Sequence, residues 1–275
     1  MQKPSNTAAS TGKVGADKIR PMLFEPLNNY FDKIYVITLK RATDRHLHII
    51  KELEGLNFEF MYGCDKINLK KDELIENKQF DPELASQHHI MGKEMNMGEI
   101  ACSISHKMVY EDVVKNNFSR VLIMEDDIII DRKNISLFEN IIKELPNNWG
   151  MLYLGFAKNE QPPKMAFFKK AFYHLLFATG IKKQFNHKVI NNLYPKNYSN
   201  HLNIAGFHDC AHAYAITGNT AKIFLQMQSP LSYIADHLLA YAACNKTINA
   251  FTSNPKLIHQ QYQVSTTPIK SYINQ

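Results

Sequence analysis

The stretch Ser119-Arg-Val-Leu-Ile-Met-Glu-Asp-Asp-Ile-Ile-Ile-Asp131 decides the fold of this chain. A short apolar run at 121–124 is followed directly by three acids, Glu125, Asp126 and Asp127. An apolar run of this length predicts a buried strand of a parallel sheet. Acids at the end of such a strand are costly unless something neutralises them. Ligands of open α/β sheets bind at the carboxyl ends of strands, so the acids mark a candidate site.

The three acids have two interpretations. Side chains alternate along a strand, so Glu125 and Asp127 are expected on one side and Asp126 on the other. Two carboxylates on one side can hold Mg²⁺ or Mn²⁺, which prefer oxygen ligands and bound phosphate. A solvated strand end, or a helix cap before Asn134, explains the same acids without a cation.

Length and composition indicate one globular domain. The 275 residues are 45% hydrophobic and 21% charged, with a net charge of +6. The apolar stretches are too short or too interrupted by lysine for a membrane span. The polar first 20 residues lack the apolar segment of a secretory signal, so we expect a cytoplasmic location. We predict a flexible tail over residues 1–30 and a single domain over residues 31–275.

The four cysteines predict neither disulfides nor zinc. They are widely spaced and form no Cys-x-x-Cys pair, at Cys64, Cys102, Cys210 and Cys244. This pattern is typical of buried thiols in a reducing compartment.

The first part of the domain predicts a βαβ unit. Lys33–Leu39 is β-branched and apolar, residues 47–56 carry a helical apolar pattern, and residues 58–62 form a second strand. Such a unit builds a nucleotide-binding half of a parallel sheet. Arg41 and Arg45 lie in its first loop, where planar guanidinium groups suit a diphosphate. Two exposed charges at a helix start are the alternative.

A second helix precedes the acidic strand. Asn96-Met-Gly-Glu99 predicts an N-terminal capping box, and the helix is expected to continue to about Lys115. Ser105 and His106 lie on it. With the strands predicted further along the chain, these elements give an α/β class with a mixed, mainly parallel sheet flanked by helices.

A basic segment at about 160–208 reads as an insertion. Between Gln161 and His208 there is no acid, whereas seven lysines and four histidines fall there. Aromatic residues interleave with the lysines, which predicts an amphipathic segment that contacts an anionic membrane surface. An ordinary helical insertion with its lysines in water is the alternative. No nucleic-acid-binding motif accompanies the segment, so we expect no nucleic-acid partner.

Several separated motifs together resemble glycosyltransferase family 25, which includes the lipooligosaccharide galactosyltransferases of Gram-negative bacteria. The resemblance spans about residues 34–265 and is interrupted by residues 66–93 and by the basic insertion. The motifs that carry it are Val36-Ile-Thr-Leu39 with Arg41 and Arg45, Gly98-Glu-Ile-Ala-Cys-Ser-Ile-Ser-His106, Leu122-Ile-Met-Glu-Asp-Asp127, Ala213-Tyr-Ala-Ile-Thr217, and Pro230 followed by Asp236.

The resemblance implies a GT-A-like fold, a UDP-sugar donor and a divalent cation, Mn²⁺ or Mg²⁺. It also implies inverting transfer of a hexose, most often galactose from UDP-galactose, to a lipid-linked oligosaccharide of the lipooligosaccharide or lipopolysaccharide type. The location expected for such an enzyme is the cytoplasmic face of the inner membrane.

The resemblance assigns roles to individual residues. The acidic motif is expected to meet the cation and the donor diphosphate, with Glu125 and Asp127 as cation ligands and His259 completing the shell. Residues expected beside the donor are Thr38, Arg41, Arg45, Ser105, His106, Glu125 and Asp126. Asp236 is the first candidate for the catalytic base and Asp209 the second.

Three other functions stay open at this point. One is a metal-dependent nucleotidyl- or phosphotransferase that uses the same acids. Another is a non-catalytic module that binds anionic lipid or glycan through the basic insertion. The third is transfer to protein, since the family also contains collagen-modifying members.

Overall fold

The computed structural model of the protein describes residues 23–181 and 183–264. Residues 1–22 of the predicted tail lie outside this range, but its end is folded. The first helix begins at Glu25. Phe24, at its N-terminus, and Leu27, within it, are fully buried. These two apolar side chains lie about one helical turn apart and enter the same core cluster, so the folded part begins earlier than residue 31.

The described residues contain ten strands in two sheets. The strands are β1 (Lys33–Thr38), β2 (Glu59–Tyr62), β3 (Arg120–Glu125), β4 (Ile128–Ile130), β5 (Met151–Ala157), β6 (Lys196–Asn197), β7 (Leu202–Ile204), β8 (Asp209–Thr217), β9 (Ala250–Ser253) and β10 (Ile258–Gln260). Eight of them make one sheet in the order β2-β1-β3-β8-β5-β9-β7-β6, in which β8 and β7 run antiparallel to both neighbours. β4 and β10 form a separate antiparallel pair.

Helices cover both faces of the large sheet. They are α1 (Glu25–Tyr30), α2 (Thr43–Glu52), α3 (Lys71–Glu76), α4 (Pro82–His88), α5 (Met97–Lys115), α6 (Phe138–Glu144), α7 (Ala166–Ala178), α8 (His187–Asn191), α9 (Gly218–Met227), α10 (Ala235–Cys244) and α11 (Gln261–Val264). The predicted fold class, a mixed and mainly parallel α/β sheet flanked by helices, is confirmed.

Strand alternation produces two cores. Leu122 and Met124 of β3 face a cluster that includes α1, α2 and α6, whereas Val121 and Ile123 face a cluster that includes α5, α9 and α10. All four side chains are fully buried. The apolar run at 121–124 is therefore continuous because both faces of β3 are covered.

The basic segment at 160–208 contains α7 and α8, then β6 and β7 at the edge of the sheet. The helices of the segment thus end at Asn191, and its last part, from Lys196 to Ile204, belongs to the sheet. Within residues 23–181 and 183–264, none of the helices combines the length and the apolar character that crossing a bilayer requires.

Candidate functional site

One edge of the sheet gathers most of the predicted site residues. β1 and β3 are parallel, with Ile37 opposite Glu125, so Thr38 and Asp126 follow at the same edge. β8 runs antiparallel to β3, which brings its first residue, Asp209, to that edge as well. A cleft that is open to solvent lies there, lined by the ends of β1 and β3, by α5 and by Gln260.

Asp126 is neutralised inside the protein. Its Oδ1 atom forms an ion pair with Arg45, and the Thr38 hydroxyl donates to its Oδ2 atom over 2.6 Å. The side chains of Arg45 and Asp126 are 6% and 8% exposed. Burial raises the pKa of Asp126, while Arg45 and the Thr38 hydrogen bond act against that rise. Thr38, Arg45 and Asp126 therefore form one buried unit in the wall of the cleft.

Glu125 and Asp127 share one partner, the side-chain amide of Gln260. Its Nε2 atom donates to Glu125 Oε2 over 3.3 Å and to Asp127 Oδ2 over 3.2 Å. Burial, together with the charges of Glu125 and Asp126, raises the pKa of Asp127 to about 7. The predicted separation of Glu125 and Asp127 from Asp126 agrees with these contacts. Two carboxylates in this position repel each other unless a cation or a proton compensates.

The structure corrects the placement of His259. It was expected in the cation shell, but its Nε2 atom lies 3.5 Å from Asp131 Oδ2. Pairing of β10 with β4 sets Gln260 opposite Ile128, directly after Asp127, and the side chain of His259 leaves the strand on the other side. Gln260, which sequence reasoning missed, takes the position expected for His259. Ile258 gives the signal, since this buried apolar residue marks the inward side that Gln260 shares.

His106 belongs to a buried chain of hydrogen bonds beside Glu125. Its Nδ1 atom lies 2.7 Å from Tyr214 Oη, which is 2.8 Å from Tyr110 Oη. Its Nε2 atom lies 3.8 Å from Glu125 Oε1. Burial opposes ionisation of Glu125, but the interactions with His106, His212 and Arg45 together outweigh it and lower the pKa of Glu125. From α5, His106 thus lies beside Glu125 and favours its ionised form.

Ser105 fastens α5 to the edge of the sheet. Its hydroxyl donates to Ala101 O over 2.8 Å and accepts from Cys64 N over 2.9 Å. A Cβ atom added at Gly63 would lie 2.4 Å from Ser105 Oγ, so only glycine fits beside the helix here. Ser105 lines the cleft, and both of these hydrogen bonds are to backbone groups.

Arg41 lies at the rim of the cleft. It pairs with Asp65, and its side chain is 43% exposed. The hydrogen bond from Arg41 lowers the pKa of Asp65. An exposed ion pair contributes little to stability, so a phosphate can replace Asp65 as the partner of Arg41 at small cost.

Two donor sets in the cleft fit a cation to different degrees. Ligand atoms of Cys102, His106 and Glu125 lie within 4.8 Å of one another. Burial raises the pKa of Cys102 well above its usual range, so the thiolate that a metal needs is disfavoured. Glu125 and Asp127 offer carboxylate oxygens, which Mg²⁺ or Mn²⁺ prefers, and the amide nitrogen of Gln260 donates to both. The second set fits better.

The two candidate bases lie together beside this cleft. Asp209, Asp236 and His237 bring their ligand atoms within 4.8 Å of one another. Asp209 forms an ion pair with Lys158, whereas Asp236 Oδ2 accepts from Cys210 N over 2.9 Å. The other oxygen of Asp236 is buried and has no hydrogen-bond partner among the described residues. Asp236 is thus held by a backbone amide, whereas Lys158 compensates the charge of Asp209.

Cys102 connects the two groups of acids. It lines the cleft, and the charges of both Glu125 and Asp236 contribute to the rise in its pKa. The acidic motif and the Asp209–Asp236 pair are thus neighbouring parts of one site.

A comparison of sequences identifies the family. The sequence profile of glycosyltransferase family 25, described as a lipopolysaccharide (LPS) biosynthesis protein, matches residues 31–239. The chain belongs to glycosyltransferase family 25. This confirms the resemblance found from the motifs. The match includes the acidic motif and Asp236 but ends before Gln260, which the structure alone adds to the site.

Three curated relatives are similar to about half of the chain. Inactive glycosyltransferase 25 family member 3 of Homo sapiens is 27% identical over 49% of this chain and 23% of its own length. A glycosyltransferase 25 family member of Aedes aegypti is 30% identical over 44% of this chain and 21% of its own length. Procollagen galactosyltransferase 2 of Homo sapiens is 26% identical over 46% of this chain and 21% of its own length. The matched segments therefore span less than a quarter of these relatives.

One solved structure, mouse xyloside xylosyltransferase 1 in its apo form, is similar with a TM-score of 0.38 and 10% identity. The similarity covers 78% of this chain and 69% of that chain.

The name of the first human relative calls that protein inactive. Membership of the family is therefore not enough to assign catalysis, and the residues of the site must carry the functional argument.

Proposed function

We propose that this member of glycosyltransferase family 25 transfers a hexose from a nucleotide sugar to a hydroxyl group of a glycan, with inversion. The sugar we propose is galactose, donated by UDP-galactose. The observation that carries the proposal is the arrangement of Glu125 and Asp127 around Gln260 in the cleft, because two facing carboxylates at a strand end suit a cation-bound diphosphate. The human relative named procollagen galactosyltransferase 2 supports the choice of galactose.

On the donor side, the residues divide into ligands and supports. Glu125 and Asp127 would hold Mn²⁺ or Mg²⁺, and Arg41 would exchange Asp65 for a donor phosphate at the rim. The buried unit of Arg45, Asp126 and Thr38 fixes the strand ends that carry these groups. When bound, the cation supplies positive charge that stabilises the departing diphosphate.

On the acceptor side, Asp236 is the proposed base. Its carboxylate, which carries no salt bridge in the described residues, would take the proton of the acceptor hydroxyl. The acceptor oxygen then bonds to the anomeric carbon, while the bond from that carbon to the diphosphate oxygen breaks and UDP leaves with the electron pair. Asp209 is less suited to this step because Lys158 already compensates its charge.

The proposed acceptor is a lipid-linked oligosaccharide of the lipooligosaccharide or lipopolysaccharide type. The description of the matching family as an LPS biosynthesis protein supports it. The proposed location is the cytoplasmic face of the inner membrane, where the lysines of the insertion would meet an anionic leaflet. Transfer to protein is an alternative, which the procollagen galactosyltransferase relative favours.

A donor screen tests the proposal. The full chain is incubated with Mn²⁺ and a panel of UDP- and GDP-sugars, and release of nucleotide by slow hydrolysis is followed together with the melting temperature. We expect a response to UDP-galactose that disappears with EDTA. A response to another sugar would change the donor and keep the reaction class.

Two results would overturn the proposal. Release of pyrophosphate in place of UDP would identify a nucleotidyltransferase. Absence of any response to nucleotide sugars, in a protein that melts cooperatively, would leave the acidic motif with a structural role only.

A further inference from the structure

The outer side of α7 is apolar and faces solvent. Phe167, Phe168, Phe172 and Leu175 are 77%, 66%, 57% and 60% exposed. At 3.6 residues per turn these positions, with the exposed Ala171, cover a stripe about 140° wide on one side of the helix. Among the described residues no charged side chain lies on this stripe. We call it the α7 apolar face.

The opposite side of α7 is fixed to the protein. The ring centroids of Tyr173 and Phe185 lie 6.1 Å apart, and Phe185 belongs to a buried cluster with α8 and α10. His174 Nε2 lies 3.0 Å from Asn191 Oδ1, and Lys170 Nζ donates to Asn191 O over 2.8 Å. The helix is therefore held in one orientation, with its apolar face turned outward.

The apolar face lies in a strongly basic surrounding. Residues 161–208 contain no acid, and Lys164, Lys169, Lys183 and Lys188 are all exposed. Soluble monomers rarely expose a contiguous apolar patch of this kind, and such patches mark interaction sites. Aromatic and leucine side chains on one side of a helix with lysines around them are typical of helices that lie in a bilayer interface.

We propose that α7 docks on an anionic lipid bilayer, with the α7 apolar face in the boundary between headgroups and acyl chains. The surrounding lysines contact lipid phosphates. A second copy of this chain suits the face less well, because a symmetric pair would bring the lysines of both copies together. Lipid docking is independent of the reaction proposed above. It would, however, orient the site, since the buried cluster joins α7 to α10, which carries Asp236 in its first turn.

Vesicle flotation with the full chain tests the docking. Vesicles of phosphatidylcholine alone are compared with vesicles that also contain phosphatidylglycerol, at low and high salt. We expect binding to the anionic vesicles at least about tenfold stronger than to the neutral ones, and weaker binding at high salt. Equal binding to both, or no binding to the anionic vesicles, would overturn the proposal.

Matched variants separate the apolar face from general stickiness. Phe168→Ser combined with Phe172→Ser is expected to reduce binding to anionic vesicles at least about tenfold. Leu47→Ser combined with Ile50→Ser serves as the control, because these side chains are 71% and 53% exposed on a different helix, α2. Equal losses in the two double variants would contradict the assignment.

Two further measurements show whether a loss of lipid binding is separate from a loss of the proposed activity or a change of oligomeric state. Slow hydrolysis of the donor in solution, without lipid, should be the same in the wild type and in the α7 double variant, since the replaced side chains lie outside the cleft. Light scattering after gel filtration should show the same mass for both. A dimer that the α7 substitutions convert to a monomer would replace the bilayer with a second copy as the partner.

Discussion

The Nε2 atom of Gln260 lies 3.2 Å from the Oδ2 atom of Asp127. This contact joins two parts of the chain that are 133 residues apart. It exists because β10 pairs with β4, which begins directly after Asp127. A side-chain amide in this position offers a donor to both carboxylates.

The first prediction concerns the cation. Gln260→Ala should weaken Mn²⁺ binding about tenfold, because the amide orients both carboxylates. The measurement is a Mn²⁺ titration of the donor-hydrolysis rate, in which excess Mn²⁺ should restore most of the activity. His259→Ala is the matched control, since this neighbour lies beside Asp131. A similar shift in both variants, or none in either, would remove Gln260 from the cation site.

The second prediction separates neighbouring acids by their effect on stability. Asp126→Asn leaves the buried Arg45 without its counter-charge and should lower the free energy of unfolding by roughly 3 kcal/mol. In the absence of added cation, Asp127→Asn should raise the free energy of unfolding. The raised pKa of Asp127, about 7, means that folding disfavours its ionised form.

The sign of the Asp127 effect follows from linkage. A carboxyl with a raised pKa in the folded state lowers stability progressively as pH rises from about 4 to about 7. The gain from Asp127→Asn should therefore be larger at pH 8 than at pH 5, by about 2 kcal/mol. Denaturant unfolding in EDTA measures it. A gain that does not change with pH would show that Asp127 is not strained by its neighbours.

The sequence predicted the strand ends well and the partners of the site residues less well. The apolar run at 121–124 and its acids are a local signal, because burial on both faces leaves no polar position in the strand. The capping box at Asn96 and Glu99 is likewise local, and both of its hydrogen bonds are present. Local patterns of this kind depend on neighbouring residues only.

The sequence does not show which distant segments meet. Arg45, expected at a diphosphate, lines the cleft and also pairs with Asp126, 81 residues away. Gln260 rather than His259 faces the acids, because the register of β10 on β4 selects that side chain. A register between distant strands is not encoded in either strand alone, and the apolar Ile258 is the local sign of the side on which Gln260 lies.

The third prediction concerns acid stability and His208. This ring is 1% exposed, accepts from Gly206 N through Nε2 over 3.0 Å, and has Nδ1 at 3.2 Å from Lys158 O. One nitrogen accepts and the other donates, so the ring is neutral. Burial lowers the pKa of His208 to about 4.

Between pH 6.5 and 4 the unfolded chain therefore binds a proton at His208 that the folded chain does not. The stability that the neutral His208 ring gives to the fold is complete above pH 6.5. As pH falls below 6.5 the free energy of unfolding decreases by about 1.4 kcal/mol per pH unit. Unfolding by urea from pH 7 to pH 5 measures the slope. In His208→Gln the slope should be smaller by that amount, whatever its absolute stability. An unchanged slope would show that His208 does not titrate on unfolding.

The last prediction distinguishes the two candidate bases. Asp236→Asn should lower the rate of sugar transfer by about 10² to 10⁴, because the amide cannot accept the proton of the acceptor hydroxyl. The amide oxygen can still accept from Cys210 N, so the local structure should persist. Asp209→Asn removes a carboxylate that Lys158 already compensates and should cost less than about tenfold. Transfer to simple alkyl glycosides measures both rates, and donor affinity should be unchanged in both variants. The reverse order of the two losses would make Asp209 the base and would assign the buried oxygen of Asp236 a purely structural role.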